Sequence, residues 1–128
     1  GNVTLIIVDA KKNVPIGTIG FAKIDYRSRT ATTGTSIGDR SYWGKGYGTE
    51  AKMLLLEYGF NVLNLEMIYS EVIAFNERSL RYAEKCGYER MGAFKKFLLR
   101  DGKRWDKIIL GIDRENWEKA KKKLGKKY

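Results

Sequence analysis

The stretch "YWGKGYGTEAKMLLLEYGF", Tyr42–Phe60, sets three glycines at alternate positions (Gly44, Gly46, Gly48) directly before an apolar, helix-like run. Glycine loses more conformational freedom on folding than any other residue, so a cluster beside a helix start marks a backbone that turns sharply or approaches something closely. A helix N-terminus presents unpaired N–H groups and a partial positive charge, and phosphate is the first ligand to consider there. Two known phosphate loops do not fit. A Walker loop needs Lys and then Ser or Thr after its last glycine, whereas Gly48 is followed by Thr49 and Glu50. A dinucleotide fingerprint needs a third glycine where Thr49 stands, after the first strand of a βαβ unit. A turn that only permits tight strand-to-helix packing explains the spacing equally well.

Upstream of the loop the chain reads as a meander. "VTLIIV" (Val3 to Val8), a turn through Lys11–Asn13, and "PIGTIGFAKID" (Pro15 to Asp25) predict two antiparallel strands, with Gly17 and Gly20 hinting at a bulge. "ATTGTSIGD" (Ala31 to Asp39) is a third, rich in β-branched residues. Downstream, Ala51, Leu54, Leu55, Tyr58 and Val62 fall at helical spacing and predict one apolar stripe. A strand over Glu66–Ala74 follows. "NERSLRYAEKCGY" then predicts a short helix with Asn76 as N-cap and Gly87 as its left-handed stop. "AFKKFLL", an Asp101-Gly102 turn and "RWDKIILGI" predict a hairpin, and Asp113 can cap a final helix holding Trp117. The order is βββ-α-β-α-ββ-α. It is an α+β arrangement, unlike a doubly wound sheet, and fits one domain over residues 1–128.

With no histidine and one cysteine, Cys86, neither a Cys/His metal site nor a His-based triad can be built, and no internal disulfide framework exists. No metal is expected. Apolar runs such as Met53–Leu56 fall far short of the ~20 residues that span a bilayer, which predicts a cytoplasmic protein without membrane contact. The net charge is +10, and half of it lies from Arg114 to Tyr128, where seven basic residues face Glu115 and Glu118. The basic tail at about 118–128 reads first as a solvated helix end, with lysines favoured at the negative end of the dipole. It lacks the interleaved aromatics of a single-strand platform, so nucleic acid is not the expected partner.

"YWGKGYGTEA" resembles motif A of the GNAT superfamily of N-acetyltransferases, in particular its RimJ/RimL-type branch of ribosomal-protein N-terminal acetyltransferases. Gly46 and Gly48 match the motif's glycines, and Trp43 stands at its Gln/Arg position. "NERSLRYAEKCGY" resembles the family's Asn-x-x-Ala/Ser segment, and "LLRDGKRWDKIILGIDRENW" its closing hairpin and helix. The resemblance spans about Val3 to Trp117. It implies a mixed, mainly antiparallel sheet flanked by helices, with acetyl-CoA as cosubstrate. It implies that the amides of Gly44, Lys45, Gly46, Tyr47, Gly48 and Thr49 cradle the coenzyme pyrophosphate. It further implies that Ile37 and Gly38, with Asp39, offer backbone N–H groups to the coenzyme arm where their strand splays from its neighbour; Asn76 is first a helix cap and could touch ligand as well. Members of that branch begin with a strand and two helices ahead of the first hairpin seen here, which leads to the expectation of a fragment, a minimal design, or a site completed by a partner subunit such as a homodimer.

Acetyl transfer from a thioester to an amine needs a neutral amine, a polarised carbonyl and a proton for the leaving thiolate. Many relatives use a late tyrosine of the second helix as acid, but the register from Asn76 puts Ala83 there, with Tyr82 facing about 100° away. Ser79 matches the hydroxyl that the RimJ/RimL-type branch places near the coenzyme sulfur. The family's strand glutamate is replaced by Ser36, which leaves Glu71 as the carboxylate with a suitable address for a base; burial would raise its pKa, whereas the more ordinary reading is an outward strand residue paired with lysine. The expected acceptor is a primary amine, a protein N-terminus or a small amine. An α-amine, with pKa near ~8, needs less help than a lysine near ~10.4.

Overall fold

The structure is a computed structural model that describes residues 2–38 and 40–125. Its elements run β1 (Val3–Asp9), β2 (Val14–Asp25), β3 (Thr30–Ile37), a 3-10 turn (Arg40–Tyr42), α1 (Tyr47–Asn61), β4 (Met67–Ile73), α2 (Glu77–Lys85), β5 (Glu89–Arg100), β6 (Lys103–Asp113) and α3 (Arg114–Leu124). The order is the one expected. Asp39, Lys126, Lys127 and Tyr128 lie outside the described residues, so the end of the expected third strand and of the basic tail is not characterised.

The six strands form one sheet in the order β1-β2-β3-β4-β6-β5. Every neighbouring pair is antiparallel except β3 with β4. That parallel pairing is short, from Thr30↔Met67 to Thr32↔Tyr69, after which β3 continues beside β2 to Ile37 and β4 continues beside β6 to Ile73. The two strands therefore splay. At the fork the Thr33 hydroxyl donates to the Tyr69 carbonyl at 3.2 Å, a side chain standing where the ladder stops.

Strand alternation turns Phe21, Thr33, Ile68 and Ile112 to one face, and all three helices pack there. A Cβ at Gly59 of α1 would stand 2.8 Å from the Phe21 ring and 2.9 Å from Ile68 Cδ1, so glycine lets that helix lie directly on the sheet. The Trp117 ring of α3 packs against Phe60 with centroids 5.8 Å apart. The opposite face carries Ile6, Glu71 and Phe94, and no described helix covers it.

Two local expectations change. Leu54, Tyr58 and Val62 of the predicted stripe are exposed (50%, 41% and 64%), while Lys52, Met53, Leu56 and Phe60 are buried. The segment is apolar on nearly every side, so helical spacing alone does not select one stripe, and the fit of Gly59 to the sheet rotates the helix. One β2 irregularity, where Ile7 pairs with Gly17 and Val8 with Pro15, sits beside the first of the two glycines; the other falls between Ala22 and Asp25, away from Gly20. Gly17 and Gly20 also allow close backbone approach, since a Cβ would lie 2.1 Å from Ser36 O and 1.9 Å from Val3 O.

The remaining signals behave as their chemistry dictates. Asn76 caps α2 by accepting from Ser79 N–H, and Asp113 caps α3 by accepting from Asn116 N–H. Asp101 and Gly102 both have positive φ, 54° and 73°, as a tight hairpin turn requires. The helix α3 ends in Lys121–Lys123, and Lys119 pairs with Glu115 at 3.2 Å, so the described part of the basic segment is a helix end. No described helix is long and apolar enough to cross a membrane.

Candidate functional site

The glycine loop is built by left-handed backbone. Gly44 and Gly46 have φ of 75° and 90°, and a Cβ at either would meet nothing within 4 Å. They are glycines for conformation, and their outer side is open. Gly46 is the N-cap of α1 and brings no side chain to its first turn, which leaves helix N–H groups unpaired at the cleft. Gly48 differs. It lies within α1, where a Cβ would press on Ile37 Cδ1 at 3.3 Å and on the Tyr82 ring at 3.5 Å.

Several side chains fix the loop. Trp43 Nε1 donates to Ile37 O at 2.8 Å, and the Trp43 ring lies beneath the Arg78 guanidinium at 4.6 Å and the Arg40 guanidinium at 5.3 Å. Tyr42 OH donates to Asp9 Oδ2 at 2.8 Å, while Lys11 and Lys12 N–H groups donate to Asp9 Oδ1. The Tyr42 hydrogen bond, ahead of the others, holds the Asp9 carboxyl below the usual carboxylate range. Tyr47 turns its ring edge-on to Tyr42 at 5.0 Å.

Tyr82 joins α2 to the loop. Its hydroxyl donates to Gly48 O at 2.7 Å, so the 3.3 Å contact with Thr35 Oγ1 has the threonine as donor. Burial drives the Tyr82 pKa upward, which keeps the phenol protonated as a donor. Tyr88 likewise donates to Thr33 Oγ1 at 2.6 Å, since the threonine proton goes to Tyr69 O. Between these rings stands Lys52, only 3% exposed, its Nζ 5.4 Å from the Tyr82 centroid and 5.6 Å from that of Tyr88. Burial brings its pKa down to about 8, and the neighbouring Cys86 opposes that shift. Cys86 itself is fully buried and pushed up to about 11, an unreactive thiol at neutral pH.

Loop, β3 and α2 together enclose a cleft of about 720 Å³ that includes Ile37, Gly44, Gly46, Gly48, Asn76 and Ser79 on its walls. Thr49 also reaches it, although its side chain is buried. The structure thus brings together most of the expected coenzyme residues. Lys45, Tyr47 and Gly38 stand off it: Lys45 is exposed, Tyr47 faces Tyr42, and the Gly38 amide is already spent on Ile16 O at 3.2 Å. Glu71 is not on the cleft wall either. It occupies the opposite sheet face, paired with Lys107 at 3.1 Å and Lys23 at 3.7 Å, the outward placement and not the buried one. A second hollow of about 430 Å³ at the far end of β4 is edged by the Arg29–Glu66 ion pair and Asp113 and holds none of these residues.

Sequence reasoning set Tyr82 aside and gave Lys52 and Thr33 no role. Tyr82 was legible as one residue off the expected tyrosine, but its bond to Gly48 needs the packing angle of α2. Lys52 carried no signal, because a lysine in a helix is ordinarily solvated.

The acetyltransferase (GNAT) domain family matches residues 1–89. The chain is 34% identical over 97 residues to an uncharacterised N-acetyltransferase, p20, of Bacillus licheniformis, covering 76% of this chain and 54% of that protein. It is 32% identical over 87 residues to spermidine N(1)-acetyltransferase of Vibrio cholerae, covering 68% and 49%. The structure superposes on a mutant of spermidine N-acetyltransferase SpeG from Vibrio cholerae with a TM-score of 0.82 at 25% identity, covering 91% of this chain and 68% of that one. The chain spans about half the length of the curated relatives it matches.

Proposed function

Because the chain belongs to the GNAT family of acetyltransferases, we propose that it binds acetyl-CoA in the cleft between the glycine loop and α2 and transfers the acetyl group directly to a primary amine. The observation that carries this reading is the conjunction of unpaired amides at the N-terminus of α1 with the β3/β4 splay beside them. The pyrophosphate takes the amides around Gly46 and Gly48, and the pantetheine arm lies along β3 towards the fork.

In the transfer, the amine nitrogen bonds to the thioester carbon, the carbon–sulfur bond breaks, and the amine proton leaves to solvent or a base while the thiolate is protonated. Ser79, in the first turn of α2 and on the cleft wall, supplies the hydroxyl that meets the departing sulfur. Asn76 holds that turn through its bond to Ser79 N–H at 3.2 Å. Glu71 is two residues beyond the last β3/β4 pair and on the other sheet face, so it acts on an amine that enters the fork from that side. Its carboxylate, paired with Lys107 and Lys23, would take the amine proton through water.

A small amine is the favoured acceptor, on the strength of relatives named as spermidine acetyltransferases. A protein N-terminus is the second reading, supported by the RimJ/RimL-like Trp43 and Asn76-x-x-Ser79 pattern. Acetyl-CoA supply suits a cytoplasmic setting, and a homodimer would bring a second chain to the uncovered sheet face. Calorimetry with acetyl-CoA and turnover on a panel of polyamines, small monoamines and N-terminal peptides test the reading. Saturable coenzyme binding with turnover of at least one amine is expected; a folded sample that binds no acetyl-CoA would sink it. Glu71→Gln should lower kcat with little change in coenzyme affinity.

A further inference from the structure

The amides of the glycine loop are neutral donors, and its one lysine, Lys45, is exposed and off the cleft wall. The positive side chains on that wall come mainly from elsewhere. Arg78, Arg81 and Lys85 stand at i, i+3 and i+7 of α2, on one face, and all three line the cleft. The acids of the same helix do not neutralise this face: Glu84 pairs with Arg90 of β5 at 3.4 Å, and Glu77 meets Arg81 only at 3.9 Å with both side chains over 70% exposed. Arg78 is oriented by its stack on Trp43, whose indole is itself fixed to Ile37 O. The Tyr82–Gly48 bond sets this face of α2 directly beside the loop amides.

Resting on the reading that coenzyme A occupies the cleft, we propose that Arg78, Arg81 and Lys85 form a second anion subsite that takes the phosphate monoester on the coenzyme's ribose, so that the protein selects coenzyme A over dephospho-coenzyme A. The coenzyme carries a pyrophosphate and, on the adjoining ribose, a monoester with a charge of about −1.5 to −2 at neutral pH. Amides suffice for the pyrophosphate; the monoester needs cations, and guanidinium groups match phosphate oxygens in pairs. The α2 face provides them on the wall where the adenosine end must leave the loop. It also gives Trp43 a purpose that a packing turn does not require: it holds one guanidinium ready.

The test is calorimetric titration of the full chain with coenzyme A, dephospho-coenzyme A and adenosine 3′,5′-bisphosphate. Coenzyme A should bind tighter than the dephospho form by about tenfold or more, a preference that shrinks as salt is raised. In Arg81→Ala and Lys85→Glu, both on exposed positions that leave the core untouched, that ratio should fall towards one while dephospho-coenzyme A affinity is unchanged. Arg78→Lys should keep the charge but lose part of the ratio with the stack. Equal affinity of the parent chain for the two coenzymes overturns the subsite and leaves the acetyl-CoA reading standing, as does equal weakening of both ligands in the variants. Failure of both coenzymes to bind a folded sample overturns the subsite and the acetyl-CoA reading together.

Discussion

The two ends of the Tyr42–Phe60 stretch use glycine for opposite purposes. At Gly44 and Gly46 the backbone is left-handed and a Cβ would face empty space, whereas at Gly59 the helix is regular and a Cβ would strike Phe21 and Ile68. The first end leaves open space at the cleft. The second removes room between a helix and a sheet. Glycine content alone does not separate a binding loop from a packing contact; the sign of φ and the distance to the nearest atom do.

That contrast can be broken from either end. The largest effect is expected for Gly46→Val, which forces a β-branched residue into φ of 90° and sets a side chain at the cleft mouth. Acetyl-CoA affinity by calorimetry should fall roughly tenfold to a hundredfold. Gly59→Val should do the reverse, lowering unfolding free energy by about 1–3 kcal/mol in urea melts while coenzyme affinity in the folded fraction is kept. Should Gly59→Val abolish binding without loss of stability, the division between the two ends would fail.

Lys52 sharpens the comparison midway along the helix. Its pKa is depressed to about 8 from 10.5, so the folded state releases this proton before the unfolded chain does. Between those pH values the unfolded state binds more protons, and stability must rise with pH, by roughly 3 kcal/mol at most. In Lys52→Met, chemical melts between pH 7 and 10 should lose that alkaline gain. Tyr82→Phe, which removes the bond to Gly48 O, should cost about 1 kcal/mol and weaken coenzyme binding a few-fold. The smallest effect concerns Asp9. Its carboxyl is depressed by Tyr42, so the loop anchor is present above the ordinary carboxylate range and lost as pH falls through the folded pKa. Loop fluorescence from Trp43 should change at higher pH in Tyr42→Phe than in the parent chain.

Much of the architecture was legible because local chemistry and tertiary structure agree. Asn76, Asp113 and Asp101-Gly102 stop or start elements through bonds to their own neighbours, which need no distant partner. Of the candidate site, the shared placement of the motif residues was legible: Gly44, Gly46, Gly48, Asn76 and Ser79 reach one cleft, because the loop and the capped first turn of α2 follow from local sequence. For Glu71 the sequence left a buried base and an outward residue paired with lysine both open, since strand alternation depends on which face the helices cover; the structure shows the outward, lysine-paired placement.

By itself the sequence determined the element order, the caps and the turn types, and the left-handed glycines that open the loop, all interactions of short range along the chain. Only the tertiary structure decided which side of α1 faces the sheet, that Lys52 would be enclosed between two tyrosines, that β3 and β4 part after Tyr69, and that three cations of α2 would line the same cleft as the loop. Those outcomes come from packing three helices, of which α1 is apolar on nearly every side, onto one face of a forked sheet, where contacts between residues distant in sequence choose among rotations that local propensity leaves close in energy.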